Sequence, residues 1–224
     1  MKNGLIFDLD GTLIDSLQGI AHSLNQALAE HSLPTHCESA VMKFIGNGAR
    51  VLAQRALPEG ASEEEIRKIE AAFKTHYAST WPSGTVAYPG ITELLESLQA
   101  TDFPLAVLSN KPHPFTTTIV ETIFPHIHFK SILGQQPGIA HKPDPAGALK
   151  IAEILSRKPA DCIFSGDSTV DLETARNAGM RAIAVTWGFH DTPRLLAAGA
   201  SQLAHHPAEL LGILLENTSH PLLA

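Results

Sequence analysis

Short apolar runs recur along this chain, and each of them ends in polar or glycine-containing residues. Five such runs are evident, at Leu5–Phe7, Leu105–Leu108, Ile132–Leu133, Cys162–Phe164 and Ala182–Val185. Segments with helical apolar spacing lie between the later runs. Because the runs are apolar throughout rather than alternating, they fit strands that are buried on both faces of a sheet. Strands that alternate with helices predict an α/β fold, in which a parallel sheet has helices on both faces.

The interval from residue 15 to residue 84 breaks this pattern, because it has helical spacing and no convincing strand. One apolar stripe covers residues 17–28, a second helix is expected at about 38–44, and Ser62 with Glu65 forms the capped start of a third, longer helix. The sequence therefore predicts a helical domain inserted after the first strand. Its predicted bounds are residues 15–84, and the core is predicted to comprise residues 1–14 and 85–224.

The bulk composition argues against several classes of partner. The chain has 224 residues and a formal net charge of −7, and it contains no run of Lys or Arg. These features argue against nucleic acid or an anionic membrane as the main partner. No apolar stretch is long enough to span a bilayer, and the N-terminus lacks a signal-peptide pattern. Of two cysteines, Cys37 and Cys162, the second is expected to be a buried free thiol, so we predict a cytoplasmic protein.

Polar residues follow the ends of the predicted strands. In an open parallel sheet, ligands bind outside the carboxyl ends of the strands, so these residues are expected to converge. They are Asp8 and Asp10; Ser109, Asn110 and Lys111; Lys142, which lies beyond the third run; and Asp167 with Asp171.

The converging aspartates predict a metal site. Two unit charges about 4 Å apart repel by about 4 kcal/mol at an effective dielectric constant near 20. Clustered carboxylates therefore share protons or hold a cation. Oxygen ligands without a thiolate suit Mg²⁺ rather than Zn²⁺. Asp8, Asp167 and Asp171 are the expected ligands.

The same residues can perform phosphoryl transfer. A carboxylate such as that of Asp8 can attack phosphorus and form an aspartyl-phosphate, which water then hydrolyses. Asp10, two residues later, is placed to act first as general acid and then as general base. Lys142 and the Ser109 hydroxyl can stabilise the charge on the phosphoryl oxygens.

Four stretches resemble the ordered motifs of the haloacid dehalogenase superfamily. They are Asp8-Leu9-Asp10-Gly11-Thr12, Ser109-Asn110, Lys142-Pro143 and Gly166-Asp167-Ser168-Thr169-Val170-Asp171. The resemblance implies a Rossmann-like core and a small helical cap of the C1 type over the site. It also implies Mg²⁺ held by the aspartates at 8, 10, 167 and 171, and phosphate contacts from Thr12, Ser109, Asn110 and Lys142. Asp10 matches the phosphatases of the superfamily, because its dehalogenases lack this second aspartate.

Structural roles compete with some of these assignments. Asp171 also fits a capping box with Ser168, and it can serve both as a helix cap and as a metal ligand. The Thr12 hydroxyl is also suited to bracing its own loop. The histidines, His190 among them, show no metal-ligand spacing and are expected to be surface or packing residues.

The inserted helices carry the evidence on the substrate. Gly46, Asn47 and Arg50 lie in a stretch that, with Tyr88-Pro89-Gly90, resembles the phosphoglycolate phosphatase group. That resemblance implies 2-phosphoglycolate, whose carboxylate an arginine could hold. The stretch is equally consistent with a simple turn and a solvated Arg50. Other sugar phosphates, nucleoside monophosphates, pyrophosphate, a phosphosugar mutase reaction and a phosphate-sensing module are the alternatives. We expect a small phosphorylated metabolite as partner, and a monomer or a homodimer.

Overall fold

A six-stranded parallel sheet forms the centre of the molecule in the computed structural model, which describes residues 2–216. The strand order is β5-β4-β1-β6-β7-β8, and every neighbouring pair is parallel. The strands are β1 Gly4–Phe7, β4 Leu105–Pro112, β5 Phe129–Gln135, β6 Cys162–Gly166, β7 Arg181–Val185 and β8 Leu203–Ala204. The five predicted strands are confirmed. The edge strand β8 was not predicted, because two residues carry too little pattern.

Helices cover both faces of this sheet. They are α5 Ile91–Ala100, α6 His113–Ile123, α7 Ala146–Ile154, α8 Thr169–Ala178, α9 Thr192–Ala197 and α10 Pro207–Glu216. Leu5 and Phe7 of β1 belong to the same buried cluster as Ile119 of α6, whereas Ile6 belongs to a second cluster with Ile151 of α7. Successive side chains of a strand point to opposite faces. Each face of β1 is therefore buried, which explains the uninterrupted apolar run and confirms the α/β prediction.

The interval after β1 is helical, as predicted. It contains α1 Leu17–Glu30, α2 Glu38–Met42, α3 Ala49–Ala56 and α4 Glu63–Thr80, followed by a short 3₁₀ helix at Trp81–Ser83. The predicted cap at Ser62 is present, and Asp15 makes a local contact at the start of α1, where the N-cap residue Ser16 forms no side-chain cap. The Ser62 side chain accepts from the N–H of Glu65, which returns the interaction to the Ser62 N–H, and the Asp15 carboxylate accepts from the N–H of Leu17.

A two-stranded antiparallel ribbon joins the helical segment to the sheet. Its strands are β2 Ile14–Asp15 and β3 Val86–Ala87, which pair Ile14 with Ala87. The sequence did not predict this ribbon, because each strand has two residues and gains its stability from the pairing itself. The predicted domain boundaries at 14/15 and 84/85 fall at the ribbon, and the division into two domains stays a prediction.

One of the contacts between the helical segment and the sheet edge is made by a loop. The carbonyl oxygen of Gly46 accepts from Nδ2 of Asn110 at 3.0 Å. Gly48 has φ +85°, and a Cβ there would lie 3.1 Å from both the Asn110 carbonyl oxygen and Nε2 of His141. Glycine at this position therefore permits both the turn and the close approach of the helices to the core.

Candidate active site

Asp8 directly follows β1, and the sheet fixes its backbone. Its N–H donates to the carbonyl oxygen of Ser165 on β6 at 2.9 Å. The Asp8 side chain is buried, and its Oδ1 accepts from the Leu9 N–H at 2.7 Å and lies 2.8 Å from Nζ of Lys142. Both contacts engage Oδ1. Oδ2 has no hydrogen bond within residues 2–216, so this oxygen is free to react.

Three buried carboxylates meet at this point. One oxygen from each of Asp8, Asp167 and Asp171 lies within 4.8 Å of the others. Nζ of Lys142 contacts Asp8 at 2.8 Å and Asp171 at 2.7 Å. Burial, followed by the charge of Asp171, raises the pKa of Asp8 to about 7 and raises the pKa of Asp167 well above its ordinary value. For Lys142, burial alone would lower the pKa, but the two carboxylates outweigh it and hold the pKa above its ordinary value.

This donor set fits Mg²⁺. Three carboxylates carry more negative charge than the single ammonium of Lys142 can offset, and burial makes the excess charge costly. The donors are all oxygen atoms, which suits a hard divalent cation. Asp8, Asp167 and Asp171 are therefore the residues that would hold the ion.

Asp167 is held by the loops that follow β1 and β7. Its Oδ2 accepts from the Phe189 N–H at 2.7 Å, and its Oδ1 accepts from the Thr12 hydroxyl at 3.2 Å. Nε1 of Trp187 donates to the Thr12 carbonyl oxygen at 3.0 Å. Any Cβ at Gly11, which has φ +85°, would overlap the Asp167 carboxylate. Thr12 was predicted as a phosphate contact, and the structure places its hydroxyl on Asp167.

Asp171 is both a helix cap and a member of the carboxylate group. Its Oδ2 accepts from the Ser168 N–H at 3.0 Å and from the Ser168 hydroxyl at 2.6 Å, at the start of α8. Its Oδ1 accepts from Lys142 at 2.7 Å. Oδ2 thus caps the helix, and Oδ1 binds Lys142.

Asp10 is held apart from that group by a different lysine. Nζ of Lys111 lies 2.8 and 3.0 Å from the two Asp10 oxygens, and the Ser16 hydroxyl donates to Oδ1 at 2.6 Å. Burial would lower the pKa of Lys111, but Asp10 and Tyr77 outweigh it, so the pKa lies above its ordinary value. Asp10 was predicted as a fourth metal residue, and its carboxylate is not one of the three that converge among the described residues.

Asn110 positions Lys142 rather than facing open space. Its Oδ1 accepts from the Lys142 N–H at 2.8 Å, and its Nδ2 donates to the carbonyl oxygens of Lys142 and Gly46, each at 3.0 Å. Ser109 lines the cavity above Asp8, and its hydroxyl oxygen accepts from the Lys111 N–H at 3.2 Å. Of the two residues predicted to bind phosphate here, Asn110 uses its amide N–H donors on carbonyl oxygens, whereas the Ser109 hydroxyl proton has no acceptor among residues 2–216.

A cavity, here called the inner cavity, lies between the helical segment and the sheet edge. Asp8, Asp10, Ser109 and Asp167 line its sheet side. Its other walls are largely apolar and come from both parts of the chain, at Ile20, Ile45, Leu52, Phe73, Tyr77, Phe115 and Phe189.

The three predicted residues of the helical segment take different positions. Gly46 lines the inner cavity. Asn47 does not, and its Oδ1 accepts from Arg55 at 2.9 Å. Arg50 lies outside the lining, where it forms ion pairs with Glu63 and Glu70.

Sequence reasoning missed the loop after β7. The N–H of Phe189 holds Asp167, and His190 lines the inner cavity while its Nδ1 accepts from the Thr169 N–H at 3.1 Å. Burial, followed by the charge of Arg194, lowers the pKa of His190 to about 4, so this ring is neutral at neutral pH. The rule that polar residues converge beyond strand ends, applied to the run at Ala182–Val185, would have found this loop.

The chain belongs to the haloacid dehalogenase-like hydrolase family, whose model matches residues 5–185. It is a phosphatase of that family, similar to the phosphoglycolate phosphatases, and both predictions are thereby confirmed. The phosphoglycolate phosphatase of Pectobacterium atrosepticum is 34% identical over 220 residues, which are 97% of this chain and 94% of that protein. That of Escherichia coli K12 is 32% identical over 207 residues, which are 84% of this chain and 82% of the relative.

Solved structures agree with this assignment. A crystal structure from Lactobacillus delbrueckii has a TM-score of 0.90 and 30% identity, covering 96% of this chain and 99% of that one. A predicted phosphoglycolate phosphatase from Haemophilus somnus has a TM-score of 0.87 and 32% identity, covering 95% of this chain and 97% of that one.

Among residues 2–216, no helix is both long and apolar enough to cross a membrane.

Proposed function

We propose that this chain is a Mg²⁺-dependent phosphomonoester hydrolase that forms an aspartyl-phosphate on Asp8. The observation that carries the proposal is the state of the Asp8 carboxylate. Oδ1 is bound to Lys142 and to the Leu9 N–H, whereas Oδ2 has no hydrogen bond within the described chain. The Asp8 carboxylate also lies beside two further buried carboxylates. One oxygen is thus anchored while the other is free to attack.

In the first half of the reaction, Oδ2 of Asp8 attacks the phosphorus of the ester. The new bond to Asp8 forms as the bond from phosphorus to the ester oxygen breaks. Asp10 donates a proton to the departing oxygen, so the leaving group departs as an alcohol. Lys111 and Ser16 hold the Asp10 carboxylate in the orientation that this transfer needs.

In the second half, water hydrolyses the aspartyl-phosphate. Asp10, now deprotonated, takes a proton from the water as it attacks phosphorus, which restores the Asp8 carboxylate and releases phosphate. The Ser109 hydroxyl and the ammonium of Lys142 stabilise charge on the phosphoryl oxygens. When bound to Asp8, Asp167 and Asp171, Mg²⁺ supplies positive charge that offsets the carboxylates and the phosphate.

The helical segment is proposed to act as a cap that closes over the inner cavity. The hydrogen bond between Asn110 and Gly46 and the tight contact at Gly48 support this role, since they join the segment to the sheet edge beside Asp8. Closure would exclude bulk water and strengthen the electrostatic interactions within the site. A cytoplasmic location and a monomeric or homodimeric state remain predictions.

2-Phosphoglycolate is the substrate that we propose. The names of the relatives support it, as does the resemblance around Gly46 and Asn47. Arg50, the predicted carboxylate ligand, pairs with acidic residues outside the inner cavity in this structure. The substrate proposal therefore does not depend on Arg50.

Phosphate release from a panel of esters tests the proposal. The panel contains 2-phosphoglycolate, a sugar phosphate, a nucleoside monophosphate, pyrophosphate and p-nitrophenyl phosphate, each with Mg²⁺ and with a chelator. We expect Asp8→Asn to lower kcat by at least about 10³-fold, because an amide cannot form the covalent intermediate. Unfolding by urea checks that the variant is folded.

Phosphate release by Asp8→Asn at the wild-type rate would refute the assignment of Asp8 as the nucleophile. Turnover that persists unchanged in the chelator would refute the role of Mg²⁺. A best substrate other than 2-phosphoglycolate would replace that part of the proposal, and the absence of any turnover in the wild type would favour a phosphate-sensing module.

A further inference from the structure

A second cleft opens beside the inner cavity, and its lining carries positive charge. It is here called the outer cleft. Lys43 and Arg55 from the helical segment and Arg194 from α9 line it, and none of its lining residues is acidic. The cleft is therefore a local cationic feature on a chain whose formal net charge is −7.

The three cations have no ion-pair partner among residues 2–216. Asp191 lies at the start of α9, but its carboxylate accepts from the Arg194 N–H and caps that helix. The guanidinium of Arg55 is held by the Phe44 carbonyl oxygen at 3.0 Å and by Oδ1 of Asn47 at 2.9 Å. These two contacts are to neutral acceptors, so they orient the charge of Arg55 without neutralising it.

The outer cleft adjoins the inner cavity. Ile45, Gly46, Ser168 and His190 line both of them. The three cations therefore border the same residues that line the cavity containing Asp8.

The inner cavity itself offers no unpaired cation to a second anionic group. Lys111 is bound to Asp10, and Lys142 is bound to Asp8 and Asp171. The remaining walls are largely apolar, as at Leu52. A carboxylate or a second phosphate on the substrate would lose hydration there without gaining a charged partner.

We propose that the outer cleft binds a second anionic group of the substrate, a carboxylate or a phosphate, while the ester phosphate lies at Asp8. The inference rests on the proposed hydrolase function and specifies its substrate class. These substrates are phosphate esters whose alcohol part carries a second anionic group. Arginine pairs with either anion through parallel N–H donors, and Lys43 adds a third positive charge.

Substitution of the unpaired cations tests this inference. Turnover of three substrates in the presence of Mg²⁺ is compared between the wild type and the variants Arg194→Gln, Lys43→Gln and the double variant. 2-Phosphoglycolate has its carboxylate close to the ester, fructose 1,6-bisphosphate has its second phosphate farther away, and p-nitrophenyl phosphate has no second anionic group. The measured quantity is kcat/KM for each anionic substrate divided by kcat/KM for p-nitrophenyl phosphate, because this ratio cancels differences in the folded fraction.

We expect the double variant to lower this ratio by at least about tenfold for one of the two anionic substrates, mainly through KM. Arg67→Gln is the matched control, because Arg67 is an exposed cation of α4 outside both cavities, and its ratio should match the wild type. Ratios that stay at the wild-type value for both substrates would overturn the inference. Failure of the wild type to turn over p-nitrophenyl phosphate would instead count against the proposed function.

Binding to a catalytically disabled protein gives a second readout. In the Asp8→Asn background, calorimetry measures the Kd of the more affected substrate with and without Arg194→Gln. An increase in Kd of about tenfold is expected if the arginine contacts the substrate. An unchanged Kd would contradict the inference, whatever the turnover experiments give.

Discussion

At the scale of the residue, the two oxygens of a buried carboxylate in this site have different surroundings. Asp8 gives Oδ1 to Lys142 and keeps Oδ2 free, and Asp171 gives Oδ1 to Lys142 and Oδ2 to Ser168. Sequence reasoning weighed helix capping against metal binding for Asp171. In the structure, capping uses Oδ2 alone and Oδ1 accepts from Lys142, and metal binding by Asp171 stays a prediction.

The two cysteines provide a test of the residue environments. Cys37 is exposed, and its hydrogen bond with Ser39 lowers its pKa, whereas burial raises the pKa of Cys162 to about 11. Because the thiolate is the reactive form, we expect one fast-reacting thiol per chain in the native protein at pH 7.5. Titration with a chromogenic disulfide measures this, and Cys37→Ser should remove the fast phase. Equal rates for both thiols before unfolding would contradict the described burial.

At the scale of the element, the same capping motif occurs in two different environments. Ser62 with Glu65 and Ser168 with Asp171 both form capping boxes, and both were recognisable from the sequence. The first lies at the surface, where Glu65 faces solvent. The second lies beneath the inner cavity, where its acidic partner is 2% exposed and meets Lys142. Local sequence predicts the cap, but only the position of the helix decides whether the cap also takes part in the site.

The exposed capping box of Ser62 and Glu65 should contribute measurably to stability. Ser62→Ala removes the side-chain acceptor for the Glu65 N–H, so we expect a loss of about 1 kcal/mol in the free energy of unfolding. Urea unfolding measures this loss. Ser79→Ala in the same helix is the matched control, because its hydroxyl donates to a carbonyl oxygen of the preceding turn, and it should change stability by less than about 0.5 kcal/mol. Equal losses in the two variants would argue against the capping role.

At the scale of the whole molecule, the proposed function depends on the helical segment reaching the sheet edge. One of its contacts is made where Gly48 meets the backbone of Asn110, which itself holds Lys142. The Asn110 side chain therefore links the position of the segment to the position of the lysine beside Asp8.

Gly48→Ala should disturb this arrangement. The added Cβ would lie 3.1 Å from the Asn110 carbonyl oxygen, so the loop must shift away from the core. We expect kcat/KM for p-nitrophenyl phosphate to fall by about tenfold, because small displacements of the closing segment misplace the reacting groups.

Gly60→Ala separates this effect from backbone strain. Gly60 has φ +86°, close to the +85° of Gly48, but a Cβ there meets no atom within 4 Å. It should therefore share the cost of a positive φ, measured by urea unfolding, and keep wild-type turnover. Equal losses of turnover in both variants would indicate that strain, rather than closure, is responsible.

Much of the fold was predictable, because its signals are local. The five long strands were found from apolar runs, and three of the four helices of the inserted segment were found from their spacing and caps, whereas α3 was not predicted. The strands β2, β3 and β8 were not found, because two residues cannot show a period. Their pairing partners lie far away in the sequence, so only the assembled structure specifies them.

The sequence by itself determined the α/β fold, the family and the identity of the aspartates, because each follows from a motif placed at the end of a strand. Only the tertiary structure decided how those aspartates are used. The separate pairing of Asp10 with Lys111, the hold of the β7 loop on Asp167 and the position of Arg50 outside the inner cavity all join residues distant in sequence. The apolar runs could predict where the site lies. Long-range packing determines which oxygen of each carboxylate is free to react.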